Sequence, residues 1–158
     1  MSDGARILYA LKARLETIKT AAGYPMSVRE VSLNLSEITF DLPSNRLPLV
    51  EIIQAPEKYE HGACGLVEVV TSVILRLVDE RKKTDPDMEV FKSSIVRAIY
   101  ANQYVATGNS GIGLEDGKGR TIVFPRLVSC ETDLNMVPGN RIYALLFEFR
   151  SQRQTWKF

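Results

Sequence analysis

Residues 66–78, LVEVVTSVILRLV, constrain the fold more than any other stretch. Val67, Val69, Thr71, Val73, Leu75 and Leu77 recur at every second position. Leu66, Val69, Val70, Val73, Ile74, Leu77 and Val78 also form a helical stripe. Spacing alone does not choose between them. Side-chain chemistry does: five valines, an isoleucine and a threonine are stiff at χ1 and pack well on a pleated surface. The stretch therefore reads as one long strand.

Two amphipathic helices accompany it. Ile7, Leu8, Leu11, Leu15 and Ile18 share one face of a helix predicted over about 4–21, with Ser2 or Asp3 as its cap. Gly23 and Pro25 stop it, since glycine accepts a left-handed cap and proline cannot continue. The second helix is predicted over about 86–102. Asp85 caps it, Pro86 suits its first turn, and Phe91, Ile95, Ala98, Ile99 and Asn102 form the inward stripe.

The other segments read as strands and loops. Residues 28–42 alternate, but parity changes near Ser36, which predicts two short strands around a turn or bulge. Residues 47–54 form an apolar strand ended by Pro56, and YEHGACG reads as a turn. Residues 103–119, with their glycines, form a long loop. Strands over about 120–134 and 140–150 follow, separated by a turn at Pro138, Gly139 and Asn140. Pro125 removes a ladder donor and marks an edge or a bulge. The order predicts an α+β sandwich: a mainly antiparallel sheet of four to six strands with two helices packed on one face. It forms a single domain over 1–150, with a C-terminal tail over 151–158.

Composition narrows the chemistry. The 158 residues carry 20 basic and 19 acidic side chains, a formal net charge of +1, without the surplus that a dedicated nucleic-acid binder uses to displace counterions. Cys64 and Cys130 lie far apart, in no metal-like spacing, and read as small hydrophobes in a cytosol-like compartment. Lys12, Arg14 and Glu16 interrupt the first apolar segment, so it reads as neither a signal peptide nor a membrane span.

Catalytic patterns are weak. His61, the single histidine, lies three residues from Cys64, but nothing marks Cys64 as activated and no third residue orients the pair. Glycines 111, 113 and 117 miss the dinucleotide spacing and connect no strand to a helix. Asn34-Leu35-Ser36 matches a glycosylation acceptor, which carries no weight without a secretory signal. No paired carboxylates, metal ligands or cofactor motif emerge.

Contacts are the better prospect. Arg141, Arg150, Arg153, Trp156, Lys157 and Phe158 make the last strand and tail basic and aromatic, the residue types enriched in binding hot spots. The long loop adds Tyr104, Asn109, Ile112 and Leu114 as candidate contacts. Arg81, Lys82 and Lys83 read as a solvated basic turn.

A helix of ARILYALKARLETI type ends in GYP, and LPLVEIIQAPEKYE follows. LRLVDERKKTDPDMEVF leads into the second helix, and SCETDL and GNRIYALLFEFR close the pattern. This layout resembles the small neck and tail-completion proteins of long-tailed bacteriophages, most of all the tail terminator family, over roughly residues 5–150. The resemblance implies a virion protein, assembled in the host cytoplasm, that forms a ring, usually a hexamer. The ring would sit on the last ring of the major tail tube protein, stop tube growth and present a surface to the head connector. Genome DNA would pass through the lumen without specific binding. It implies no catalytic residue, cofactor or membrane partner. The loop 103–119 and the tail 151–158 lie outside the pattern. Two other expectations stand beside it: another head-tail joining protein, or a small nucleic-acid-binding module using the basic tail.

Overall fold

The computed structural model describes residues 3–33, 42–100, 124–132 and 139–154. The expected loop 103–119, with Tyr104, Asn109, Ile112 and Leu114, lies outside the described residues, as do Trp156, Lys157 and Phe158.

Helix α1 spans Asp3–Glu16 and buries Ile7, Leu11 and Leu15, as their spacing predicts. It ends earlier than expected. Thr17 is the reason: its hydroxyl and its N–H both donate to the Arg14 carbonyl, which tightens the last turn. A separate 3-10 turn, Thr20–Ala22, follows, and Gly23 closes it at φ 91°. Ile18 nevertheless stays in the core, and its carbonyl accepts the Val28 N–H.

Strand β1, Glu30–Leu33, lies parallel to β2, Leu49–Gln54. Parallel neighbours need a crossover connection. Its described part, 42–48, is tied down at both ends. Arg46 grips Glu30 through two hydrogen bonds of 2.8 and 2.9 Å, and the Asn140 amide pairs with both backbone groups of Leu42. The remainder of the expected strand pair over 28–42 falls on 34–41, outside the described residues.

The expected turn at YEHGACG is corrected in part. Lys58–His61 form strand β3, paired with β4, Leu66–Asp79. All four β3 side chains are exposed, so no hydrophobic alternation announced the strand. The β3–β4 turn passes through Cys64 at φ 59° and Gly65 at φ 70°. Strands β2 and β3 lie end to end along one side of β4. From Gln54 to Lys58 four residues advance while β4 retreats three, from Val73 to Val70. Pro56, which has no N–H to donate, sits inside that bulge.

The ambiguous stretch is indeed one long strand, at the centre of a six-stranded sheet ordered β1-β2-β4-β6-β5, with β3 beside β4. Helix α2 spans Asp85–Tyr100. Its cap is Thr84 rather than the expected Asp85. The Thr84 hydroxyl accepts the Asp87 N–H at 3.3 Å, and the Asp87 carboxylate accepts the Thr84 N–H at 2.9 Å, a reciprocal capping box. Strand β5, Phe124–Glu131, is an edge strand carrying Pro125 and a register shift between Leu127 and Ser129. Among the described residues every pairing except β1–β2 is antiparallel.

Strand β6, Arg141–Gln154, runs past the expected end at 150, and Gln154 pairs with Leu66. Residues 151–154 of the expected tail are therefore part of β6, paired with β4.

Both helices pack on one face. Val73, Leu75 and Leu77 of β4 and Tyr143, Leu145, Phe147 and Phe149 of β6 meet Ile7, Leu11, Leu15, Phe91, Ile95 and Ile99 in one core. Burying each large apolar side chain contributes roughly 1.5–3 kcal/mol before entropy is counted. A smaller cluster, Leu42, Leu47, Leu49 and Val78, covers one end of the opposite face. Beyond Val73 and Phe149 the sheet continues as a three-strand arm of β3, the start of β4 and the end of β6.

Candidate functional site

His61 and Cys64 lie at the turn between β3 and β4, both exposed. His61 closes β3 opposite Val67, while Cys64 sits within the turn. Among the described residues no hydrogen bond joins them, and no carboxylate orients the imidazole. The second thiol, Cys130, is half-buried between β5 and the helix layer. Burial pushes it above its ordinary pKa, although the Lys92 ammonium opposes this. An attacking thiolate needs the reverse. Tyr143, buried beside the same group, is also raised, by burial first and then by Asp85 and Glu89.

The basic residues of the last strand do not gather into one patch. Arg141 and Arg150 stand at odd and even positions of β6, hence on opposite faces of the sheet, roughly 30 Å apart along the strand. Each is engaged with acids. Arg141 donates to the Lys83 carbonyl at 2.9 Å and pairs with Asp85 at 2.5 Å. Arg150 pairs with Glu68 at 2.5 Å and approaches Glu148 at 3.8 Å. Arg153 lies within β6, opposite Val67. The alternation of a strand disperses cations that a sequence reader sees as neighbours.

The sheet face opposite α1 and α2, free of helices among the described residues, is the part that sequence reasoning missed. Across β2, β4 and β6 it presents Glu51, Arg76 and Ala144 in one row, and Ile53, Ile74 and Leu146 in the next. Glu51 is almost fully buried and pairs with Arg76 at 2.9 Å. The signal was present: Ile142, Ala144 and Leu146 make the second parity of the last strand apolar as well. Along the arm the same face carries Lys58, Glu60, Glu68 and Arg150, with Glu60 directly opposite Glu68.

Among the described residues no group of three histidine, cysteine, aspartate or glutamate side chains is placed to hold a metal ion, and no helix is long and apolar enough to cross a membrane. No protein-family model matches the chain, and no curated protein matches it.

Proposed function

We propose that this chain is a virion structural protein that forms a ring at the head-proximal end of a phage tail, ends tube growth and joins the tail to the head connector. A closed ring requires two different complementary patches on every subunit. The observation that carries this reading is a sheet with two unlike edges. At one edge of the described sheet lies β1, parallel to its neighbour. At the other lies β5, antiparallel and bulged, whose Leu127 N–H donates to the Tyr100 hydroxyl at 2.8 Å. The three-strand arm extends the sheet beyond the core that α1 and α2 cover. A net charge of only +1 also suits a ring that passes DNA without gripping its phosphates.

Light scattering after size exclusion, with negative-stain images of the chain alone and mixed with tail tubes, tests this. Closed rings capping the tube ends are the expected outcome. A chain that stays monomeric in both conditions removes the reading.

A further inference from the structure

Ile53 pairs with Ile74, and Ile74 with Leu146, so three aliphatic side chains form one row across the helix-free face, each partly exposed. An antiparallel sheet turned toward water carries polar residues at such positions. Single exposed aliphatics are ordinary, whereas a contiguous row with charged rows on both sides has the anatomy of a contact surface.

Strand β5 continues the row and shows what it fits. Ser129 stands opposite Leu146, at the end of the aliphatic row. Arg126, opposite Glu148, lies on one side of it, and Glu131, opposite Ala144, on the other. Both are exposed, and among the described residues neither is in an ion pair. A two-fold axis laid along the row, perpendicular to the strands, places Arg126 of one copy over Glu131 of the other, and the reverse. The same operation lays the aliphatic row on itself and sets Glu148 of one copy over Ala144 of the other, beside Arg76.

We infer that this face docks a second copy of the chain through a two-fold contact. An isologous interface must be complementary to itself. A change of charge sign about an apolar line meets that condition, and a different protein would not require it. The inference goes beyond the ring reading, because a ring closes through unlike patches and this contact uses one patch twice.

Sedimentation equilibrium of the full chain, over a range of concentrations at low and high salt, tests it. The expected species is a dimer, or a larger assembly with an even number of copies. R126E and E131R should each weaken the two-fold contact about tenfold, and the double reversal should restore it to within about threefold. L146R should abolish the contact with an unchanged circular dichroism spectrum. If that variant misfolds, the two exposed charge reversals still decide. A chain that is monomeric throughout, a mass that the charge reversals leave unmoved, or a double variant as weak as the singles overturns the inference. Rings that form normally while R126E and E131R change nothing would refute the two-fold contact and spare the ring. Paired copies that never cap a tube would do the opposite.

Discussion

Burial raises the Asp79 carboxyl above its ordinary pKa, more than the Glu80 N–H donation and the Lys83 charge lower it. The folded state then binds a proton more tightly than the unfolded chain. The Asp79 contribution to stability is therefore greatest below the unfolded value and is lost as pH rises through the raised folded value. D79N should remove that slope and raise the urea midpoint near neutrality. Midpoints measured from pH 4 to about 7 for both proteins check it, and parallel curves would refute the assignment. Asp87 behaves in the opposite sense, since its hydrogen bonds from the Thr84 N–H and hydroxyl hold it below the usual carboxylate range. Its contribution is present above the unfolded value and fades as pH falls through the lowered one. T84A removes the hydroxyl half of the capping box and should cost about 1 kcal/mol in urea unfolding.

Among the elements, β4 shows how much pattern reveals and where it stops. Its odd positions from Val67 to Leu77 point toward the helix side, while Val70 and Val78 are buried on the other. An apolar run at both parities is what made it resemble a helix as well as a strand. Side-chain branching favoured the strand, and β6 paired along its whole length supplies the reason it persists. Strand β3 is the opposite case, invisible to pattern because it buries nothing. The pair between β2 and β4 adds a test. R76M would leave Glu51 buried without its ion partner, which should cost about 3 kcal/mol. Adding E51M should recover most of that loss, because two apolar groups leave no buried charge unpaired. Urea unfolding of the wild type, the two single variants and the double variant closes the cycle, and a double variant weaker than R76M would contradict it.

For the whole molecule, local rules sufficed for much of the architecture. Helical stripes placed α1 and α2, branched side chains placed β4, and Pro125 pointed to an edge or a bulge in β5, which is an edge strand with a register shift two residues further on. These are properties of a residue and its near neighbours, so the sequence alone determined them, together with the α+β class. Which strands become neighbours was decided by tertiary structure. Strand β1 lies parallel to β2, and the described end of their connection is tied by Arg46 to Glu30 and by Leu42 to Asn140, contacts that span up to 98 positions. The candidate contact surface belongs to the same category. Arg141 and Arg150 look adjacent in chemistry, and the pleat puts them on opposite faces. Ile53, Ile74 and Leu146 are distant in sequence, and the register sets them in one row. Spacing along a chain encodes periodicity, whereas the alignment of one strand against another depends on pairings that no local window contains.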